Sequence, residues 1–195
     1  MFCTAQAQVE YINIEQLKIK RCFEEALSKY ESLQDNEITV KRGKVRIATM
    51  QAQPIIGLFN LFSGEKRYKI KVGYNVKDEE SLKLIDLPDD VLIGWFAHEL
   101  GHILDYRQYS NFQMLGFGIR YLFSNKHRKQ VEHDADYIAI ANGFEDEILA
   151  LKQYILKNKL INQEYKDQIN DFYLPPNEVK VCAKDKDLMK PYIDL

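Results

Sequence analysis

The sequence contains few cysteines, and those present form no recognisable pattern. Cys3, Cys22 and Cys182 are widely separated along the 195 residues, and no Cys-x-x-Cys pair occurs. This spacing indicates neither a disulfide framework nor a cysteine-based zinc knuckle. Reduced thiols are typical of cytosolic proteins, and we therefore expect a cytoplasmic location.

The N-terminal residues carry only the last part of an export-signal pattern. Residues 2–8 include a triplet of the small-x-small type, but the basic and long apolar regions of such a signal are missing. If translation starts upstream of Met1, the expected location changes to that of an exported protein.

Long apolar runs, glycine-rich loops and a strong net charge are also missing. The longest apolar runs, residues 54–62 and 112–123, are too short and too interrupted to span a bilayer. No phosphate-binding glycine loop or internal repeat occurs. The net charge of −2 gives no reason to expect nucleic acid or an anionic membrane as the main partner.

The two apolar runs still require an explanation. Core packing is favoured for most of both runs, because apolar stripes usually face the core. The alternatives are the wall of a hydrophobic specificity pocket and a peripheral contact with a membrane surface. The sequence leaves these alternatives open.

The length and the ordinary composition predict one globular domain. Hydrophobic residues make up 46% of the chain and charged residues 29%, which is usual for a soluble protein. A chain of 195 residues can bury a substantial core. Because Pro175 and Pro176 end the last periodic segment, we expect the domain to span residues 1–175 and residues 176–195 to form a C-terminal tail.

Hydrophobic periodicity predicts several helices. A period of three to four residues, with start and stop signals, occurs at residues 14–33, from 89 onwards, from Ser124 to about Ala141, from Glu145 onwards and at 163–173. The residues at 112–123 form either a kinked helix or an apolar loop, since glycines interrupt them.

Alternation of apolar and polar residues predicts a small sheet. Two short strands are expected around Gly43 within residues 38–50, and a clearer strand at 68–76. One apolar and one polar face in that strand favour an antiparallel sheet covered by helices on one side. Between the strands we expect an irregular segment or short helix at 54–62 and a turn at 63–65. A charged connection at 77–86 then leads into the next helix.

His98, Glu99 and His102 form the pattern His-Glu-x-x-His within a predicted helix. A proline followed by two acids at residues 88–90 is typical of a helix start. Residues four apart leave one face of a helix, so both imidazoles can bind one zinc ion. Glu99 can then reach a water molecule at the open metal position.

The alternative for these three residues is a solvated helix surface. The apolar residues that surround them argue against it, because they make the helix hydrophobic on nearly every side: Leu92, Ile93, Trp95, Phe96, Leu100, Ile103 and Leu104. Such a helix is expected to be buried. Ionisable side chains in a buried helix need a partner, and a metal ion supplies one.

A third ligand is expected from the helix that begins at Ser124. Glu132 and Asp136 are four residues apart and share a face with Ala135 and Ala139. Small residues on this face allow a close approach to the histidine helix, so that Glu132 can reach the metal. Asp136 can accept a hydrogen bond from the far nitrogen of a liganding histidine. His133 is the rival ligand, but it points about 100° away from Glu132 around the helix.

Together, the two motifs resemble those of the gluzincin metallopeptidases, most closely the M48-type branch and the small domains called minigluzincins. The matching residues are His98, Glu99 and His102 in the first motif, and Glu132, Ala135 and Asp136 in the second. The resemblance covers residues 88–143, with the alternating strand as weaker support. M48-type peptidases usually carry transmembrane helices, and this chain departs from them in having none.

The resemblance implies roles for the matching residues. It implies that His98, His102 and Glu132 bind one zinc ion, that Glu99 is the catalytic acid and base, and that Asp136 supports a ligand. It also implies an α+β zincin-like domain, with a mixed sheet packed on the active-site helix and a helical C-terminal half. The edge strand of such a sheet lines the cleft and pairs with extended substrate, and residues 68–76 are our candidate for it.

The reaction predicted from these residues is zinc-dependent hydrolysis of peptide bonds in a peptide or protein substrate. The developing oxyanion needs a further donor. The sequence does not choose among five candidates near the two motifs, which are Tyr106, Tyr109, His127, Arg128 and Tyr137. Asp105, one turn beyond His102, is either a partner of a liganding histidine or an acid at the helix end.

Two further functions remain open at this point. The His-Glu-x-x-His helix also resembles that of the ImmA/IrrE group of regulatory peptidases, which cleave a repressor. A catalytically silent metal-binding module with the same fold is the alternative from another class. A weaker hypothesis is that the C-terminal tail plugs the cleft and brings Cys182 or an aspartate to the zinc.

Overall fold

The computed structural model describes residues 8–57, 66–193 and 195, and the predicted α+β class is confirmed. The strands are β1 (Gln8–Ile12), β2 (Glu37–Arg42), β3 (Met50–Pro54) and β4 (Arg67–Val72). The helices are α1 (Leu17–Ser28), α2 (Asp89–Tyr106), α3 (Asn111–Phe123), α4 (Asn125–Ala141), α5 (Glu145–Lys157), α6 (Gln163–Phe172), α7 (Pro176–Cys182) and α8 (Lys186–Ile193). The predicted turn at 63–65, most of the apolar run at 54–62 and residues 2–7 lie outside the described residues.

The sheet is mixed and has the strand order β1-β2-β4-β3. β1, β2 and β4 run parallel, and β3 is antiparallel to β4. The prediction that residues 68–76 form the edge strand is therefore wrong, since β4 lies between β2 and β3. Tyr68, Ile70 and Val72 alternate with lysines because helices cover one face of the sheet. Alternation of apolar and polar residues indicates that one face of the sheet is covered. It does not distinguish an inner strand from an edge strand.

The strands are shorter than the sequence pattern predicts. β4 ends at Val72, and Tyr74 is exposed beyond it. The second strand predicted within residues 38–50 begins only at Met50, so that residues 43–49 form a connection. Just beyond β4, the Gly73 amide donates to the carbonyl oxygen of Thr49 at 3.0 Å. A Cβ at Gly73 would lie 2.8 Å from the same oxygen, so this close approach requires glycine.

α2 is the central helix, and its burial follows from its sequence. It contacts α1, α4, α5 and β3, and every residue from Val91 to Tyr106 is buried. On one side, the rings of Phe23 and Phe96 meet edge to face at 5.4 Å. The Tyr30 hydroxyl donates to the carbonyl oxygen of Ala97 at 2.6 Å. These contacts fix α2 from the side opposite the site.

The two helices that follow α2 begin at serine residues that cap them. Ser110 forms a capping box with Gln113, and residues 111–123 are helical rather than an apolar loop. Ser124 caps α4 by accepting a hydrogen bond from the His127 amide. α4 is followed by Gly143 with φ of 79°, a conformation that glycine adopts without strain.

Residues 176–195, expected to form a tail, contain two helices that pack on the domain. Val179, Cys182 and Met189 are buried in the hydrophobic core, where α7 and α8 contact α4 and α7 also contacts α5. Pro176 occupies the first turn of α7, where a proline is tolerated because its missing amide would have no partner. A double proline thus begins a helix here as well as ending one.

Candidate metal centre

α2 places His98 and His102 side by side. Their rings are 4.6 Å apart between centroids. The Nε2 atoms of both rings approach the same carboxylate oxygen, Glu132 Oε2, at 3.1 Å for His98 and 3.4 Å for His102. Two imidazole nitrogens therefore converge on one oxygen in the interior of the protein.

α4 brings Glu132, rather than His133, to these histidines. Glu132 is 2% exposed. The carboxylate oxygen that it could offer to a metal lies within 4.8 Å of the corresponding ring nitrogens of His98 and His102. Within the described residues these three side chains are the group of His, Cys, Asp and Glu that could hold a metal ion. The His133 ring lies beside Tyr137 instead. Glu132 and Ala135 share the face of α4 that approaches the histidine helix, as the sequence predicts.

Asp136 contacts the ring nitrogen of His98 that faces away from Glu132. Its Oδ1 lies 2.9 Å from His98 Nδ1, so that Nε2 of the same ring faces Glu132. Asp136 Oδ2 accepts hydrogen bonds from Lys152 Nζ at 2.6 Å and from the Leu174 amide at 3.0 Å. A carboxylate held by three donors fixes the orientation of the imidazole that it contacts.

The charges of the site favour a cation. Burial raises the pKa of Glu132, but His102 and His98 outweigh it and hold this pKa well below its usual value. Burial lowers the pKa of His98, but Asp136 and Glu132 raise it by more than burial lowers it. The result is a pKa of about 10. Asp136 stays ionised because Lys152 and His98 lower its pKa to about 2 against the effect of burial.

The donor set fits a divalent metal ion. Glu99, Glu132 and Asp136 are three buried carboxylates, and Lys152 is a buried ammonium beside them. A divalent cation that displaces the proton of His98 would leave two neutral imidazoles and would balance the remaining negative charge. Imidazole nitrogen and carboxylate oxygen are ligands that zinc and related ions accept.

Glu99 lies next to this group without belonging to it. Its Oε2 accepts a hydrogen bond from the Ala52 amide of β3 at 2.5 Å. Burial raises the pKa of Glu99, although the two histidines oppose this effect. A raised pKa makes a buried carboxylate a better proton acceptor than an exposed one.

A cavity of about 380 Å³ opens onto Glu99, His102 and Glu132. β3 forms one wall with residues 50–54, and α3 forms the other with an apolar surface that includes Phe117 and Leu122. The strand beside the cavity is thus β3, which lies at the edge of the sheet. The edge strand and two of the three candidate metal ligands, His102 and Glu132, therefore face the same space.

The five candidates for the oxyanion donor are not equally placed. Tyr106 and Arg128 line the cavity. Tyr109 and His127 pack against Phe117 and do not line the cavity. Tyr137 packs against His133 and the C-terminal Tyr192. Only the first two candidates therefore face the space in which a substrate would lie.

Three further residues belong to the site and were not predicted from the sequence. Tyr121 donates its hydroxyl to Glu132 Oε1, and Tyr173 places its ring 5.3 Å from that of His98. Lys152 binds Asp136. Lys152 could have been found from the sequence, because it lies on the apolar face of α5 between Leu151 and Ile155. No motif pointed to the two tyrosines.

Asp105 and Cys182 lie outside the group. Asp105 accepts a hydrogen bond from Gln108 at 3.2 Å, and burial raises its pKa to about 6. This contact supports the interpretation of Asp105 as an acid near the helix end. Cys182 is buried on α7 beside Tyr137, where burial raises the pKa of the thiol. Neither residue forms a hydrogen bond with the histidines, although His102 lowers the pKa of Asp105 against the effect of burial.

Gly101 allows α2 and α4 to approach closely enough for this geometry. A Cβ at Gly101 would lie 2.5 Å from the carbonyl oxygen of Ala135, and a backbone atom cannot rotate away. We expect Gly101→Ala to lower the free energy of unfolding by about 1–3 kcal/mol, despite the better helix propensity of alanine. Urea unfolding followed by circular dichroism measures this change.

Gly116→Ala is the matched control for this substitution. Gly116 is also helical, but nothing lies within 4 Å of the place where a Cβ on this residue would be. Alanine there is expected to stabilise the protein by up to about 1 kcal/mol. A Gly101→Ala protein as stable as the wild type would contradict the close packing of the two helices.

Comparisons of the chain with protein-family models, curated proteins and solved structures find no match. The chemistry of the chain must therefore be inferred from the site itself. The geometry brings together a buried group that could hold a metal ion, an adjacent carboxylate and an open cavity beside an edge strand.

Proposed function

We propose that this protein is a zinc-dependent endopeptidase of the gluzincin type. The convergence of His98, His102 and Glu132 beside Glu99 is the observation that carries the proposal. Three ligands from two helices, with space next to them, are typical of hydrolytic rather than structural zinc sites. A structural site would be closed by a fourth protein ligand.

Zinc bound by these residues would acidify a water molecule and polarise the scissile carbonyl group. Glu99 accepts the proton of the attacking water and passes it to the leaving amine. Its hydrogen bond from the Ala52 amide fixes the carboxylate at the base of the cavity. His98 is held in place by Asp136, whose charge Lys152 balances.

β3 supplies a binding site for an extended peptide. It lies at the edge of the sheet, and Gln51, Ala52 and Gln53 line the cavity with Glu99. A peptide added along this edge would pair with main-chain groups, as in other cases of strand addition. This binding mode depends little on side chains and places a peptide bond next to Glu99.

The opposite wall suits an apolar substrate side chain. Met114, Phe117 and Leu122 of α3 line the cavity, together with Pro54 at the end of β3. Tyr106, Tyr121, Arg128 and Tyr173 line the cavity and carry groups that could donate to the developing negative charge on the substrate oxygen. We therefore expect cleavage next to a large apolar residue.

Metal analysis combined with a cleavage assay tests this proposal. Purified protein is expected to contain about one zinc ion per chain and to cleave a mixed peptide library. Treatment with a chelator should remove the activity, and added zinc should restore it. A stoichiometric metal with no cleavage of any peptide would instead indicate the silent binding module. Cleavage that is insensitive to metal removal would contradict the zinc mechanism.

A further inference from the structure

α3 is apolar on both of its faces. Met114 and Phe117 face the domain and are buried. The opposite face carries five exposed apolar side chains, which we call the outer stripe: Phe112 (64% exposed), Leu115 (48%), Ile119 (61%), Leu122 (71%) and Phe123 (85%). Their spacing of three and four residues places them within about 100° of the helix circumference.

Such a stripe is unusual on a surface that faces only water. Exposed apolar residues are ordinarily scattered, whereas a contiguous patch marks an interaction site. Twelve large apolar residues are exposed within the described ranges, and five of them lie on this one helix of 13 residues. The capping box at Ser110 shows that α3 begins at a regular helix start.

The sequence segment that carries the outer stripe contains basic residues and no acidic ones. Residues 106–131 contain no aspartate or glutamate but five cations, Arg107, Arg120, Lys126, Arg128 and Lys129. The whole chain, in contrast, has 27 basic and 29 acidic residues. Arg120, Lys126 and Lys129 are exposed on α3 and on the first turns of α4. The net charge of −2 therefore conceals one strongly basic segment.

We propose that the outer stripe docks this protein on the surface of a membrane that contains anionic phospholipid. Phenyl and aliphatic side chains can enter the acyl boundary while the flanking cations contact headgroups. A second copy of the chain is a poorer occupant, because a two-fold contact would bring the basic segments together. α3 is too short to cross the bilayer, so it lies in the interface.

Docking would place the mouth of the cavity at the lipid surface. Leu122 belongs to the outer stripe and also lines the cavity that contains Glu99 and Glu132. Polypeptide segments that lie close to a membrane would then be nearest to the site. The docking itself requires neither a bound metal nor peptide hydrolysis.

Vesicle sedimentation of the full chain tests the docking. The wild-type protein is expected to bind vesicles of phosphatidylcholine and phosphatidylserine in equal parts, and to bind phosphatidylcholine alone at least tenfold more weakly. The double variant Phe112→Gln/Phe123→Gln should lose roughly tenfold in partitioning for each ring removed. Lys126→Gln/Lys129→Gln should lose roughly fivefold for each charge.

A matched control uses apolar residues that are exposed elsewhere. Leu17 on α1 and Val181 on α7 are 80% and 65% exposed, so Leu17→Gln/Val181→Gln should leave vesicle binding unchanged. The variant Phe123→Trp gives a second measurement. The fluorescence emission of the new tryptophan should shift to shorter wavelength when anionic vesicles are added. The natural tryptophan, Trp95, is buried in α2 and supplies a constant background.

Two results would overturn the proposal. One is wild-type protein that stays in the supernatant with anionic vesicles. The other is a wild-type dimer that Phe112→Gln/Phe123→Gln converts to a monomer, which would assign the outer stripe to a second copy. Because no substrate is used, either result is independent of whether the protein hydrolyses peptides.

Discussion

Glu99→Gln is expected to abolish peptide hydrolysis while the protein keeps its metal. The amide has nearly the same shape as the carboxylate and can still accept the hydrogen bond from the Ala52 amide. It cannot accept a proton from the attacking water. Loss of a general base lowers kcat by roughly 10²–10⁴-fold. Steady-state kinetics on a cleaved peptide, with metal analysis of the same sample, measures both quantities.

Asp105→Asn is the control for Glu99→Gln. Asp105 is a buried acid on the same helix, but its hydrogen bond comes from Gln108, and His102 acts on it only through its charge. Its replacement is expected to leave kcat within about threefold of the wild-type value. Undiminished hydrolysis by the Glu99→Gln protein would remove Glu99 from the reaction. Loss of metal from that variant would show a structural role instead.

The helical half of the fold and the convergence of His98, His102 and Glu132 could be predicted from the sequence. An apolar helix with His98 and His102 on one face has to be buried, and buried ionisable groups need partners. The alanines of α4 indicated which side of that helix can come close, which separated Glu132 from His133. In the structure Ala135 is buried, with its carbonyl oxygen close to Gly101.

The arrangement of the sheet could not be predicted in the same way. The strand with the clearest alternation, β4, is an inner strand, and the weakly patterned β3 is the edge. Alternation depends on what covers the two faces, whereas strand order depends on contacts distant in sequence. The cavity wall was therefore assigned to the wrong segment.

The supporting residues were missed because their roles arise from the packing of distant segments. Tyr173 and Leu174 follow α6, and the path of the chain after that helix brings them to His98 and Asp136. Nothing in their local sequence distinguishes them from core residues. Lys152 is different, since a lysine on the buried stripe of α5 requires an anionic partner. That requirement points to a buried acid, although it does not identify Asp136.

Replacement of the predicted third ligand should have a far larger effect on metal affinity than replacement of its neighbour. Glu132→Ala removes the oxygen that lies 3.1 Å from His98 and 3.4 Å from His102. Mutation of groups that only support ligands costs 10–100-fold in affinity, so loss of a ligand should cost more than about 100-fold. His133→Ala should change the affinity by less than about threefold, because its ring packs beside Tyr137.

Competition with a chromophoric chelator gives the zinc affinities, and thermal unfolding gives an independent measure. Zinc at about 100 times the wild-type Kd should stabilise the wild type and His133→Ala by about 2.7 kcal/mol. Glu132→Ala should gain almost nothing at that concentration. Glu132→Gln keeps the size of the side chain and the hydrogen bond from Tyr121, and thereby separates lost ligation from a packing defect. If His133→Ala loses zinc and Glu132→Gln retains it, the third ligand is His133, and the site geometry that supports hydrolysis is wrong.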